Sequence, residues 1–208
     1  MKSALFALCI AVFAIQPVGA SASGPAPDEL IRSLSDDVLE ILREDEQLRN
    51  GDVSNVVQLV EDLVLPHFDF RRMTMLAVGR DWRDASPEQQ QRLMDAFYGM
   101  LVRTYSNALT QYRDQTIGVR PLRMSPSDRT VRVQTEIHQS GAQPVTVDYV
   151  LEKRDDGWKI FDIVVAGVSL VTNYRGTFAQ EIRVGGIDGL INSLETKGRE
   201  FTRTPGQS

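Results

Sequence analysis

Cysteine is almost absent: the 208-residue chain contains one, Cys9, inside an N-terminal apolar run. That run reads as a secretory signal peptide over residues 1–22. Lys2 supplies the positive start, Ala4 to Ile15 the apolar stretch, and Val18-Gly-Ala20 or Ala20-Ser-Ala22 the small residues of a cleavage site. The exported chain then has no cysteine, which excludes a disulfide, a thiolate nucleophile and a cysteine metal site. Histidine is nearly as scarce. His67 and His138 are far apart, and neither has a ligand partner at helical or turn spacing, so no metal and no cofactor is expected. No later segment approaches the ~18 apolar residues of a membrane helix. Blocks of Lys and Arg are missing too, and the formal net charge is -5. Nucleic acid is therefore not an expected partner, and lasting adhesion to anionic membranes is disfavoured.

What is present is apolar periodicity, enough for one domain over residues 23–208 with a sizeable core. Leu30, Ile31, Leu34, Val38, Ile41 and Leu42 form an amphipathic stripe that starts behind Asp28-Glu29 and ends near Asn50-Gly51. A second helix opens at Asp52 and is stopped by Pro66. Asp69 is the expected N-cap of a short third helix closed by Gly79. Ser86-Pro-Glu-Gln89 has the form of a capping box with proline at the first helical position, and its helix runs to about Tyr112.

After Asp114 the period changes. Residues 116–124, 129–138, 143–153 and 157–165 read as four strands joined by short, turn-rich connections, hence an antiparallel meander. Two helices follow, about 168–183 and 187–199, separated by Gly185-Gly186. Helices first and a meander second make an α+β fold: a four-stranded antiparallel sheet packed against several helices, an arrangement that can enclose an apolar cavity.

The last strand is apolar on both faces. Strict alternation places Trp158, Ile160 and Val164 on one side and Phe161, Ile163 and Val165 on the other. Such a strand is covered twice, or covered once while lining an apolar space.

Catalytic candidates are few. Ser169 sits in half of a Gly-x-Ser-x-Gly elbow, and the competing reading is a helix N-cap. Asp162 interrupts an apolar face, as a general acid or base would; the alternative is pairing with Arg175 in the next helix. Arg80-Asp-Trp82-Arg83 suits either head-group binding or a loop in which Trp82 packs. Neither an enzyme nor a purely structural adaptor is favoured. Apolar side chains exceed catalytic ones, which points to a ligand cavity.

The order and spacing of several segments resemble the MlaC family of periplasmic phospholipid carriers, also called the toluene-tolerance family. They are Leu65-Pro-His-Phe-Asp69, Gly79-Arg-Asp-Trp-Arg83 with Ser86-Pro-Glu-Gln-Gln90, Phe97 with Leu101 and Thr104-Tyr105, Val147-Asp-Tyr149, and Gly157 through Arg175 to Phe178. The likeness covers about residues 53–198. It implies a periplasmic carrier that shuttles phospholipid between an outer-membrane lipoprotein–porin complex and an inner-membrane ABC transporter complex with its substrate-binding MCE protein, maintaining outer-membrane asymmetry. Acyl tails would occupy the apolar cavity between sheet and helices. From the apolar faces, the expected lining is Leu76, Phe97, Leu101, Tyr105, Val147, Tyr149, Phe161, Ile163, Val165, Val168 and Phe178.

Overall fold

A computed structural model describes residues 24–44, 53–110 and 114–200. The signal-peptide reading, Cys9, Tyr112 and the expected end of the first helix lie outside the described residues. Helix α1 (Pro27–Glu44) carries Asp28 and Glu29 in its first turn and Arg43 in its last, complementing the helix dipole. Its stripe buries Leu30, Ile31 and Leu34 against the sheet. Helix α2 (Val53–Leu59) passes into a π turn (Val60–Val64) and a 3-10 turn (Leu65–His67). Pro66 cannot donate to a continuing helix, and Phe68 leaves with extended backbone.

The next N-cap is Asp69, as its position before Phe-Arg-Arg suggests. Its carboxylate accepts from the Arg72 N–H at 2.9 Å, starting α3 (Phe70–Val78). Gly79 ends that helix with φ 75°. A 3-10 turn (Gly79–Arg83) stands where a loop was expected; Trp82 is buried there, and the Arg71 guanidinium lies 5.6 Å from its ring centre. The capping box is reciprocal. The Ser86 N–H donates to Gln89 Oε1 at 3.0 Å and the Gln89 N–H to Ser86 Oγ at 3.1 Å, opening α4 (Pro87–Thr110).

The sheet has five strands in sequential order: β1 (Thr116–Val119), β2 (Thr130–His138), β3 (Val145–Arg154), β4 (Gly157–Val165) and β5 (Val168–Ser169), all antiparallel. The four-strand expectation is thus one short: residues 168–169 add a strand before helix α5 (Leu170–Glu200) begins. Strand β1 also ends early at Val119, one residue before Arg120-Pro121, because proline offers no ladder donor. The two expected C-terminal helices are present within α5, meeting at a kink where Gly186 leaves helical geometry (φ 67°, ψ −172°).

Strand β4 does not alternate strictly. Val150 pairs with Asp162 and Leu151 with Ile160, leaving Phe161 as a bulge residue. The bulge changes the phase. Trp158, Ile160, Ile163 and Val165 share one face with Leu151, Tyr149 and Val147, whereas Phe161, Asp162 and Val164 take the other. The expected grouping of Phe161 with Ile163 and Val165 is therefore corrected.

A two-residue turn, Ala166-Gly167, joins β4 to β5, with φ values of 48° and 84°. Positive φ at both central positions is the type I′ geometry that suits hairpin twist, and alanine fits it poorly. A left-handed non-glycine residue costs about 1–2 kcal/mol, while glycine loses an extra ~0.5–1 kcal/mol of backbone entropy. Ala166→Gly is expected to raise stability by about 0.5–1 kcal/mol, read as a higher urea midpoint; a lowered midpoint would contradict the strain.

The core has two main parts. One lies among the helices, centred on Phe97, Leu93, Phe178, Leu190, Ile191 and Leu194. The other joins α1 to one face of the sheet through Leu30, Ile31, Val133, Leu151, Trp158 and Ile160.

Candidate functional site

The two clusters meet at Phe68, which is half-buried and packs on both. Its neighbour ties the junction down: the Asp69 N–H donates to the Ile160 carbonyl at 2.8 Å, against the edge of β4. Ion pairs reinforce the same edge. Arg72 of α3 meets Glu152, and Arg154 meets both Asp69 and Glu152. Other half-buried apolar side chains border the clusters. Leu63, Val64, Tyr149 and Ile163 do so on the sheet side, and Phe70, Leu76, Leu170 and Tyr174 on the helical side.

Along the sheet face that α1 covers, the apolar residues run from fully buried at one end to exposed at the other. On β3 the series is Leu151 (0 % exposed), half-buried Tyr149, Val147 (9 %) and Val145 (44 %). On β4 and β5 it is Ile160 (0 %), half-buried Ile163, Val165 (40 %) and Val168 (59 %). The register places these residues side by side: Leu151 opposite Ile160, Tyr149 opposite Ile163, Val147 opposite Val165, and Val165 opposite Val168. The result is a continuous apolar track from the core to one end of the sheet. Burial also pushes the Tyr149 phenol up from its ordinary pKa, so it is a neutral, mostly apolar surface.

The eleven residues anticipated as a lining are not brought together. Val147, Tyr149, Ile163, Val165 and Val168 belong to the track. Phe97, Leu101 and Phe178 are buried in the helical cluster, with Leu76 packed on its margin. Phe97 is ringed by Phe70, Tyr174 and Phe178, with ring centres at 5.7, 5.1 and 5.1 Å. Tyr105 is exposed; burial, and then the hydrogen bond with Tyr105, hold the Tyr174 phenol well above its usual pKa. Phe161 is buried on the opposite sheet face, under the Arg72 guanidinium at 4.1 Å. Sequence reading missed Leu63, Val64 and Phe68. Their only signal was apolar character next to Pro66, which a helix end also explains.

Two open hollows lie away from the track. One, of about 490 Å³, sits at the bend of α5 beside Thr177, Glu181 and Val184. The other, of about 470 Å³, lies between Arg71, Arg72 and Met75 of α3 and the β3–β4 turn at Asp155-Asp156. Their mixed or charged walls suit neither acyl chains nor a reaction centre. Among the described residues, no group of three or more His, Cys, Asp or Glu is placed to hold a metal ion, and no helix is long and apolar enough to cross a membrane.

Compared with known proteins, residues 32–196 match the family model described as MlaC protein. The chain belongs to the MlaC family. The intermembrane phospholipid transport system binding protein MlaC of Haemophilus influenzae is 21% identical over 173 residues, covering 82% of this chain and 81% of that one. The toluene tolerance protein ttg2D of Pseudomonas putida is 31% identical over 106 residues, about half of each chain. Among solved structures, a phospholipid-binding protein from Ralstonia solanacearum in complex with a phospholipid is 37% identical, with a TM-score of 0.82. The alignment spans 86% of this chain and all of that one.

In this MlaC-family chain the residues that invite catalytic readings are committed to structure. Asp162 does not pair with Arg175, whose Nε donates instead to the Leu76 carbonyl at 2.8 Å. Asp162 faces the start of α5 and accepts from the Ile163 N–H (2.9 Å), the Val171 N–H (3.1 Å) and the Ser169 hydroxyl (2.6 Å). A carboxylate at a helix N-terminus satisfies orphan N–H groups and complements the dipole. Ser169 in turn accepts from the Thr172 N–H at 3.0 Å, the N-cap role. Asp162→Asn is expected to cost about 1–3 kcal/mol, since hydrogen bonds to a charged group are the stronger ones. Urea unfolding of Asp162→Asn, Ser169→Ala and the double variant should give less than additive losses. Full additivity would separate the two residues.

Proposed function

We propose that this protein is a non-enzymatic phospholipid carrier of the bacterial periplasm, exported by a signal peptide at residues 1–22 and working as one domain. Its family membership, and its 37% identity along the full length of a chain solved with phospholipid, carry the reading. The apolar track from Leu151 and Ile160 to Val145 and Val168 supports it as the surface on which acyl chains lie. Tyr149, Ile163 and Val147 would form its floor, with Leu63, Val64 and Phe68 beside it. Of the residues anticipated from sequence, Phe97, Leu101 and Phe178 would support this surface from the helical core.

The physical task explains the lack of catalytic groups. Each buried methylene is worth ~0.8 kcal/mol, so a diacyl lipid with about thirty of them costs on the order of 20 kcal/mol to hold in water. A carrier needs shape and apolar lining for that, and no reactive side chain. Mla-pathway components are the partners of such carriers in general. We assign the inner-membrane ABC transporter complex with its MCE protein and the outer-membrane lipoprotein–porin complex as the two ends of the journey.

Purification without detergent, organic extraction and mass spectrometry test the reading. About one phospholipid per chain is expected. Absence of phospholipid from both native and lipid-loaded preparations would refute it.

A further inference from the structure

The two ends of the sheet differ in charge. At one end stand the β1–β2 connection, with Arg120, Arg123, Asp128 and Arg129, and the β3–β4 turn, with Lys153, Arg154, Asp155 and Asp156. At the other end stand the start of β1, the β2–β3 connection and the β4–β5 turn. Residues 115–119, 137–147 and 163–174, which build it, contain no Asp, Glu, Lys or Arg; Glu136 and Asp148, paired with Gly118, Thr146 and Val164 in the same rows, lie on the sheet face away from the track. Asp114 precedes this stretch beside β1, at the sheet edge opposite β4.

The uncharged end is also where the apolar track surfaces. Val145, Val165 and Val168 are three of the large apolar residues most exposed to solvent, and the ladder sets Val165 beside Val168, with Val145 one pleat along from Val165's partner Val147. The Ala166 N–H donates to the Thr146 carbonyl at 2.9 Å, so the strained turn is held against β3 instead of swinging free. Strain kept by neighbouring contacts is a feature of working surfaces.

We propose that this uncharged end is the portal through which the acyl chains of the bound phospholipid enter and leave, a proposal that rests on the carrier reading. A chain sliding along Tyr149–Val147–Val145 and Ile163–Val165–Val168 meets apolar surface throughout. At the other end it would pass under α1 and strip water from charged groups, which is costly when they are left unpaired. The portal carries neither Trp nor Phe and no Lys or Arg, so it lacks the features that hold a protein at a bilayer. Contact without adhesion is what a shuttle requires.

The test uses purified, delipidated protein and neutral phosphatidylcholine vesicles containing a self-quenched fluorescent phosphatidylcholine, and follows uptake with time. Val168→Lys and Val168→Asp should each slow uptake about tenfold or more, because either sign of charge must be desolvated as chains pass. Val168→Leu should restore the rate. Met124→Lys, at the charged end, should take up lipid like the wild type. Occupancy after long incubation should stay the same in Met124→Lys and Ser140→Lys, which lie off the track. Ser140→Lys, in the exposed β2–β3 connection, provides a second charge should the Val168 variants unfold. Wild-type rates in the charged portal variants, or equal slowing by Met124→Lys, would overturn the portal. A wild type that takes up no lipid at all would instead overturn the carrier reading beneath it.

Discussion

Phe97→Ala is expected to remove about 3–5 kcal/mol of folding stability, the range for deleting a buried aromatic ring. Phe97 is fully buried and packed against three rings: Phe178 and Tyr174 meet it edge-on at 78° and 74°, and Phe70 is tilted at 48°. Edge-to-face pairs add about 0.5–1.5 kcal/mol each beyond area burial. Truncation therefore loses at once the ring contacts that tie α4 to α3 and to α5. An ordinary domain has only about 5–15 kcal/mol in total, so the variant should unfold at a much lower urea concentration. Phe97→Leu, which keeps most of the volume, should cost less. The comparison also separates core from lining. A residue that mainly touched lipid would lose occupancy with little change in the urea midpoint of the lipid-free protein. A cost under about 1 kcal/mol in that form would show that Phe97 is not packed as described.

This distinction was beyond the reach of the sequence. Helix α4 presents Leu93, Phe97, Leu101 and Tyr105 at helical spacing, and the spacing is identical for a residue facing core and one facing a ligand. Periodicity reports which side of a helix is apolar; it says nothing about what fills the space opposite. Phe97 and Phe178 accordingly appear in the same anticipated set as Val147, although they belong to the helical cluster and Val147 to the sheet, opposite Val165.

Capping was legible, because the side chains that do it are few and their partners lie close in sequence. Asp69, Ser86 with Gln89, and Ser169 all take the predicted roles. Asp162 misled because its partners come from the next element. From sequence, Arg175 is an attractive charge at a distance, whereas the bonds that form are short-range ones to Ser169 and Val171. The bulge at Phe161 was invisible for a related reason. No glycine or proline marks it, and an extra apolar residue in an apolar strand leaves no break in the pattern. One residue of slip exchanges the faces of everything beyond it. The fold class survived that error, but the assignment of Phe161 to the same face as Ile163 did not.

Ile163→Trp is expected to empty the protein of phospholipid while leaving it folded. Ile163 lies opposite Tyr149 on the track, half-buried at the margin of the sheet cluster. A larger ring can extend into the open side without displacing core atoms, so the stability cost should stay below about 1.5 kcal/mol. The ligand fares differently. If the indole takes the room of about five methylenes, binding weakens by ~4 kcal/mol, close to a thousandfold. Mass spectrometry of extracts should then find less than about a tenth of the wild-type phospholipid. Val164→Trp provides the contrast, because Val164 is buried on the opposite face at 4 % exposure. Overpacking there should cost about 1–3 kcal/mol of stability, and the molecules that do fold should keep their lipid. The bulge is what separates these outcomes: without it Ile163 would share a face with Phe161 and lie opposite Trp158 and Ile160. Normal lipid content in Ile163→Trp would remove the track as the acyl path, and loss of lipid confined to Val164→Trp would place that path on the other face of β4.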